Sequence, residues 1–146
     1  MLGIRFETVN EYNVFLKKIF DGLDIDCFNW KIAENEILFD NRKVDFNNRW
    51  YDSQELKKNF FSNNYYLIFL NLQGFFEKDE KEINNYDDFL NSNCEIIILF
   101  SDSVFGEIYC KSEKVLNKIH ENLQKNNFKN VHLIFTIDSC KELSAY

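Results

Sequence analysis

Residues 94–137 read CEIIILFSDSVFGEIYCKSEKVLNKIHENLQKNNFKNVHLIFTI, and this stretch decides the fold class. After Cys94 and Glu95, residues 96–100 are all apolar, which is typical of a strand that is buried on both faces. Residues 101–103 are a turn signal, and two faces then alternate over residues 104–110, one of them more polar. The sequence therefore predicts a hairpin whose first strand lies in the centre of a sheet.

A helix and a returning strand complete this unit. Ser112 is a good N-cap, Glu113 suits the positive first turn, and apolar residues recur at helical spacing over residues 115–123. Asn126 and Asn127 can end the helix because asparagine tolerates the left-handed conformation. Alternating apolar residues over 131–137 then predict a strand.

The rest of the chain continues this mixture of strands and helices. A strand over residues 2–6 precedes an amphipathic helix over residues 12–23, for which Asn10 is the expected cap. Residues 28–32 and 37–39 predict a second hairpin with its turn across residues 34–36. Further on, Asp52 or Ser53 caps a short helix, and Gly74 indicates a bulge in a long apolar strand. That strand covers residues 65–76, and one helical turn is expected near residues 86–90.

These elements predict an α+β protein with one domain over residues 1–146. We expect a mixed, largely antiparallel sheet of about six to seven strands, with two to three helices packed mainly on one face. Residues 138–146 are expected to form a loosely ordered tail, since chain ends often lack fixed contacts.

Length and composition favour a cytoplasmic domain with a full core. The chain has 146 residues, of which 45% are hydrophobic and 17% aromatic. No secretory signal and no apolar run of membrane-spanning length are recognisable in it. The four cysteines include no CxxC pair, so we expect reduced thiols. A net charge of −7 disfavours nucleic-acid binding and suits a basic protein partner.

The sequence lacks the common catalytic and cofactor motifs. Its four glycines are too far apart for a P-loop or a dinucleotide fingerprint, and neither GxSxG nor HExxH occurs. His120 and His132 have no ligand spacing with Cys94 or Cys110, so we expect no metal and no cofactor. Cys110 alternates with Tyr109 in a strand, which favours a core position over a nucleophile.

An aromatic and basic cluster is the first candidate for a binding site. Arg49, Trp50 and Tyr51 are adjacent in the irregular segment 41–52, and Arg42 lies upstream. Two of the three arginines of the chain lie here, and arginine, tryptophan and tyrosine dominate binding hot spots. In the alternative interpretation, Trp50 fills the core beneath a long loop.

An acidic segment over residues 77–88 is the second candidate. It combines six acidic residues with two lysines, so it can present carboxylates to a basic partner. In the alternative interpretation, this charged segment is simply a solvated loop. The acidic residues are Glu77, Asp79, Glu80, Glu82, Asp87 and Asp88.

A pocket at the ends of the sheet is the alternative to a binding surface. Asp102 follows the central strand and Glu107 lies on its hairpin partner, so their carboxyl groups are a candidate acid–base pair. Tyr109 and Arg49 are expected to lie nearby. Asp102 also has a simpler interpretation as a turn residue that bonds its own backbone.

Several short motifs resemble a domain-of-unknown-function family of small cytosolic proteins of Gram-positive bacteria. They are Gly3-Ile4-Arg5-Phe6, Glu11-Tyr12, Trp30, Asp102-Ser103 and Glu107-Ile108-Tyr109-Cys110-Lys111. The resemblance covers most of the chain. It implies a bacterial cytosolic single domain and transfers no activity, cofactor or catalytic residue.

Two functional hypotheses follow. The first is a non-catalytic acidic module, of an immunity, antitoxin or regulatory type, that binds a basic protein. The second is a small enzyme or ligand-binding protein with a pocket near Asp102, Glu107 and Tyr109. The lack of a recognised catalytic motif favours binding over catalysis.

Overall fold

A single antiparallel sheet organises the protein. The computed structural model describes residues 1–39, 42–44, 46 and 50–145, and within these residues eight strands belong to the sheet. The strands are β1 (Gly3–Glu7), β2 (Asn29–Phe39), β3 (Arg42–Val44), β4 (Trp50–Tyr51), β5 (Tyr65–Phe75), β6 (Cys94–Ser101), β7 (Phe105–Cys110) and β8 (Lys129–Ile134).

The order of the strands is β3-β2-β5-β6-β7-β1-β8, and β4 pairs with β2. Neighbouring strands are antiparallel throughout the described residues. The hairpin β6–β7 is confirmed, with Ile98 opposite Ile108, and β6 lies at the centre of the sheet as predicted. Its run of apolar side chains fills both faces, because β6 has a covered layer on either side.

Four helices occur in the described part of the chain. They are α1 (Phe15–Ile19), α2 (Ser53–Phe60), α3 (Tyr86–Leu90) and α4 (Glu113–Lys125). Helices α1, α2 and α4 bury Leu16, Phe60 and Leu116 in the larger core, which also contains Ile98 of β6. Helix α3 buries Phe89 in a smaller core with Ile97. Ile97 and Ile98 are adjacent in a strand and point to opposite faces, so the α+β fold with helices mainly on one face is confirmed.

The predicted caps of α2 and α4 are confirmed. The Asp52 carboxylate accepts a hydrogen bond from the Glu55 amide at 2.8 Å, and the Ser112 hydroxyl accepts one from the Val115 amide at 3.3 Å. Both contacts satisfy an amide of the first helical turn, which has no partner inside its own helix.

The predicted first helix is too long. Helix α1 begins at Phe15, because Asn13 forms a backbone bridge with Tyr65 that keeps the preceding residues extended. Asn13 and Tyr65 exchange two hydrogen bonds, at 3.0 and 3.2 Å. The helix ends at Ile19, before Gly22, which adopts a φ of +74°. The apolar spacing over residues 12–23 thus identified the buried face correctly but not the length.

The predicted hairpin over residues 28–39 is wrong. These residues form the single long strand β2, which pairs along β5 from Asn29 to Phe39. The register shifts between Ile32 and Glu34 and again between Glu36 and Ile37. At these irregularities the alternation of apolar and polar residues is interrupted. In the sequence, such an interruption looks the same as a turn between two strands.

The expectation of a loosely ordered tail is not met by residues 138–145. The Tyr86 amide donates to the carbonyl of Lys141 at 2.9 Å, and the Leu143 amide donates to the carbonyl of Asn84 at 3.0 Å. Leu143 is 1% exposed and belongs to the smaller core. The tail is held because this face of the sheet carries apolar side chains that no long helix covers.

Candidate functional site

Trp50 lies at one edge of the sheet, on the two-residue strand β4. Its ring packs edge-on against Phe75, with 5.0 Å between ring centres. Its indole Nε1 donates a hydrogen bond to Glu80 Oε1 at 3.3 Å. Trp50 is half-buried, so it joins the edge of the sheet to the acidic segment 77–88 and is neither a full core residue nor a free surface residue.

Two lysines lie close to the Trp50 ring. Lys31 Nζ is 5.7 Å and Lys78 Nζ is 5.8 Å from the ring centre, within the range of a cation–π contact. Lys31 is buried on β2, opposite Trp50 in the strand register. The Trp50 ring thus lies between a buried cation of the sheet and a lysine of the acidic segment.

Two of the six acidic residues in this segment stabilise its own backbone. Asp79 accepts hydrogen bonds from the amides of Lys81 at 3.0 Å and Asn93 at 3.2 Å. These amides are the main cause of the lowered pKa of Asp79. Asp88 accepts from the amide of Asn84 at 3.0 Å. Both carboxylates are thus used within the chain.

The other four carboxylates lie on exposed residues, Glu77, Glu80, Glu82 and Asp87. Among the described residues, the side chains of Glu77, Glu82 and Asp87 form no ion pair, and that of Glu80 accepts the hydrogen bond from Trp50. The segment itself is anchored, because it buries Ile83 and leads directly into the buried Tyr86 and Phe89 of α3. We call Trp50 with these four residues the acidic face.

The remaining residues of the predicted aromatic and basic cluster do not join the acidic face. Tyr51 is 6% exposed, and its hydroxyl donates to the carbonyl of Phe46 at 3.2 Å, so it is a core residue. Arg42 contributes its backbone to β3, opposite Phe39. Arg49 lies outside the described residues. Of the predicted cluster, Trp50 is thus the residue that the described structure places on the acidic face.

Glu107 and Tyr109, which the sequence predicts near a pocket, lie together on β7, and Tyr109 belongs to the same smaller core against which Trp50 packs. Tyr109 donates a hydrogen bond to Glu107 Oε2 at 2.6 Å. Arg5 Nε lies 3.4 Å from Glu107 Oε1, and Lys141 Nζ lies 3.6 Å from Oε2. Burial, and then the hydrogen bond to Glu107, raise the pKa of Tyr109. Arg5, Glu107 and Lys141 border a cavity of about 590 Å³.

Asp102 does not belong to this cavity. It is exposed in the β6–β7 turn and has a φ of +50°, followed by Ser103 with a φ of +65°. The Val104 amide donates to the Ser101 carbonyl at 3.3 Å, which closes a tight hairpin turn of the primed class. Asp102 therefore makes the hairpin turn, as in its simpler interpretation, and does not border the cavity beside Glu107.

The thiols and histidines show no arrangement for catalysis or metal binding in the described part of the chain. Burial raises the pKa of Cys110 to about 11, and it also raises the pKa of Cys94, so these thiols remain protonated near neutral pH. His120 is half-buried on α4, and His132 is exposed on β8. No group of three potential metal ligands was found among the described residues.

Sequence reasoning missed three cations at these sites, Lys31, Arg5 and Lys141. Arg5 alternates with apolar neighbours in β1, which marked it as an ordinary surface residue of a strand. The sequence predicts Lys141 in a loosely ordered tail. It predicts Lys31 in one arm of a hairpin. Only the pairing of the strands shows that Lys31 faces Trp50 and Arg5 faces Glu107.

Most of the chain is similar to a known protein. The chain is 28% identical over 142 residues to "Uncharacterized protein YncE" of Bacillus subtilis (strain 168), and the match covers 90% of each chain. No solved structure matches this protein. None of the described helices has both the length and the apolar character needed to cross a membrane. The family model with the description "Protein of unknown function (DUF2691)" matches residues 1–143, so this chain belongs to that family.

Proposed function

We propose that this protein is a non-catalytic binding protein whose acidic face engages a basic protein. The observation that carries the proposal is the set of four exposed carboxylates beside a half-buried tryptophan, on a segment that is anchored by buried side chains. Three of these carboxylates have no cation partner among the described residues. A partner with a positive patch would supply the missing charge.

The two kinds of residue in the acidic face have different roles in this proposal. The carboxylates attract and orient the partner, and their effect weakens as salt screens the charges. Trp50 supplies rigid contact area, and its contacts with Phe75 and Glu80 hold it in place before binding. Little ordering of this surface is then needed on association, which favours tight binding.

The proposal extends to the type of protein and its location. An immunity, antitoxin or regulatory protein fits a small acidic domain that neutralises a basic partner. We also propose a bacterial cytoplasmic location. All four cysteines are free thiols, and two of them, Cys27 and Cys140, are exposed, as suits a reducing compartment.

The proposal can be tested with charge-neutral variants of the acidic face. The test variant is Glu77→Gln/Glu82→Gln/Asp87→Asn, which removes three charges without removing an ion pair within the described residues. The matched control is Glu11→Gln/Asp102→Asn/Glu121→Gln, which removes the same charge from exposed positions outside the acidic face. Both variants and the unmodified protein are immobilised and exposed to host lysate at low and high salt, and captured proteins are identified by mass spectrometry.

The expected result is one dominant basic partner, captured at low salt by the unmodified protein and by the control but not by the test variant. Trp50→Ala should also lose the partner while circular dichroism remains unchanged. Equal capture by test and control variants contradicts the proposal. An empty capture by the unmodified protein also contradicts it.

A second candidate function rests on the cavity beside Glu107. The Glu107 carboxylate contacts Arg5, Lys141 and the Tyr109 hydroxyl. It borders a cavity of about 590 Å³, which is within the size range of small-molecule sites. A small polar ligand or substrate fits this arrangement. A thermal-shift screen with small carboxylates and amines tests it, and we expect Glu107→Gln to abolish any shift. A shift that Glu107→Gln leaves unchanged would exclude this site.

A further inference from the structure

A cavity of about 600 Å³ opens on the helical face of the sheet, on the side opposite to the acidic face. It lies between the segment over residues 20–28, the first turns of α4 and the ends of β2 and β6. Neither the acidic segment nor the Glu107 cluster contributes a residue to its lining. Any ligand of this cavity is therefore independent of the two functions proposed above.

The inner wall of the cavity is apolar and largely aromatic. Trp30 and Ile96 are buried in the larger core and line the cavity. Phe28 stacks on Phe76 with 5.2 Å between ring centres and 12° between ring planes. Phe76 is 56% exposed, so this wall extends outward to the solvent. A wall of this kind accepts a flat ring or an alkyl chain and offers it few hydrogen-bond partners.

The outer part of the cavity carries three lysines. Lys114 and Lys118 are four residues apart on α4, so they lie on the same side of the helix, and Lys111 precedes the helix. The opposing charges in the lining are Asp24 and Glu95. Lys114 and Lys118 thus place two cations at the border of this cavity, in a chain whose net charge is −7.

The three lysines are not equally free. Lys111 Nζ donates to the Ser92 carbonyl at 2.7 Å and lies 5.2 Å from the Phe89 ring centre. Lys118 Nζ forms an exposed ion pair with Glu121 at 3.6 Å. Lys114 is exposed and has no ion pair or hydrogen bond within the described residues. Lys114 is thus the cation that is ready to receive an anion, with Lys118 one turn further along α4.

We propose that this cavity binds a small amphipathic carboxylate, with its apolar body against Phe28 and Phe76 and its carboxylate at Lys114 and Lys118. The volume is in the range of small-molecule sites, and an apolar wall with a few polar groups at one end is their usual construction. An alkyl carboxylate and an aromatic carboxylate share this chemistry. The aromatic wall suits both, and the experiment distinguishes them.

Isothermal titration calorimetry of the full chain tests the class of ligand. The probes are octanoate, 2-naphthoate, octan-1-ol and octyltrimethylammonium. We expect at least one carboxylate to bind more tightly than the alcohol, and the ammonium ion to bind more weakly than the alcohol. If octanoate binds more tightly than 2-naphthoate, the cavity selects an alkyl carboxylate. If 2-naphthoate binds more tightly, it selects an aromatic carboxylate. Absence of binding by both carboxylates, or equal binding of carboxylate and ammonium, overturns the proposal.

Lysine variants test the position of the carboxylate. Lys114→Gln/Lys118→Gln should raise the Kd of the carboxylate by about tenfold, because each exposed ion pair contributes up to roughly fivefold in affinity. The same variant should leave the Kd of octan-1-ol unchanged. Lys17→Gln/Lys58→Gln is the matched control, because it removes the same charge from exposed residues of α1 and α2 outside the cavity. An equal effect in both double variants would show that net charge alone acts, and would overturn the proposed site.

Cys27 offers a second measurement. It is an exposed thiol in the lining of the cavity, whereas the other exposed thiol, Cys140, lies in the tail. In a Cys140→Ser variant, a saturating carboxylate should slow the reaction of Cys27 with a maleimide reagent severalfold. An unchanged rate at saturation overturns the proposed location. The acidic-face variants should leave both measurements unaltered, so failure of one proposal is distinguishable from failure of the other.

Discussion

At the scale of single residues, the Glu107 carboxylate collects more polar contacts than its place in a strand suggests. Arg5 reaches it from β1, Lys141 from the tail and Tyr109 from two residues further along β7. Tyr109 itself is fully buried. A hydrogen bond from a buried hydroxyl to a charged group contributes more to stability than a neutral one at the surface.

We predict that Tyr109→Phe lowers the free energy of unfolding by about 2 kcal/mol, because it removes a 2.6 Å hydrogen bond to a carboxylate. Urea denaturation at neutral pH measures this change. Tyr86→Phe is the matched control, since Tyr86 packs in the same small core and its hydroxyl has no hydrogen bond within the described residues. Equal losses in the two variants would show that the contact with Glu107 adds nothing.

At the scale of secondary-structure elements, helix α2 is short and depends on its first turn. The Asp52 carboxylate accepts the Glu55 amide at 2.8 Å, and the buried side of the helix consists of Ser53, Leu56 and Phe60. We predict that Asp52→Ala lowers the free energy of unfolding by about 1 kcal/mol through loss of the cap. Asp52→Asn keeps the acceptor and should cost less than half as much. A loss in Asp52→Asn as large as in Asp52→Ala would contradict the capping role.

The tail over residues 138–145 is a structural element of the smaller core. Leu143 is buried in this core together with Phe75, Ile97 and Tyr109. We predict that Leu143→Ala lowers the free energy of unfolding by about 2–4 kcal/mol, as for other buried leucines. Cys140→Ala, at an exposed position of the same tail, is the control and should change stability little. A neutral Leu143→Ala would restore the original expectation of a loosely ordered tail.

The elements that were predicted wrongly share one physical cause. The alternation in residues 28–39 breaks at residues 33–36, which the sequence alone does not distinguish from a turn. The register shifts against β5 show that it is one bulged strand. Helix α1 is shortened by the bridge between Asn13 and Tyr65, which are distant in the sequence. In both cases a long-range strand pairing overrides the local pattern.

At the scale of the whole molecule, buried thiols and phenols set the response to alkaline pH. Burial raises the pKa of Cys110 from 9.0 to about 11, and it also raises the pKa values of Cys94, Tyr65 and Tyr109. A group whose folded pKa is raised loses its proton first in the unfolded chain. Its contribution to stability is therefore complete below the unfolded pKa and is lost as the pH rises toward the folded pKa.

We predict that stability falls above about pH 9, with Cys110 contributing up to about 1.4 kcal/mol per pH unit between the two pKa values. Urea midpoints measured under reducing conditions at pH 7.5, 9 and 10 test this prediction. Cys110→Ala should make the decline less steep, and Cys140→Ala, at an exposed thiol, should have a smaller effect. An identical decline in the unmodified protein and in Cys110→Ala would contradict the assignment.

The candidate sites were predicted in part. The acidic segment and Trp50 were identified from composition, because charge runs and tryptophan are visible in a sequence. That Trp50 contacts Glu80 was not predictable, since the contact joins two segments thirty positions apart. The same holds for the cavity beside Lys114, whose lining comes from Phe76 and from segments over residues 20–30 and 95–118.

The sequence by itself determined the class of this protein and much of its local structure. The apolar run before Ser101 specifies a central strand, and Asp52 and Ser112 specify helix starts, because burial of a strand and capping of a helix depend on neighbouring residues. The tertiary structure alone decided the strand order, the path of the tail, and which charges meet at Trp50 and Glu107. These features depend on contacts between residues far apart in the chain, and local periodicity carries no information about which distant partners will pair.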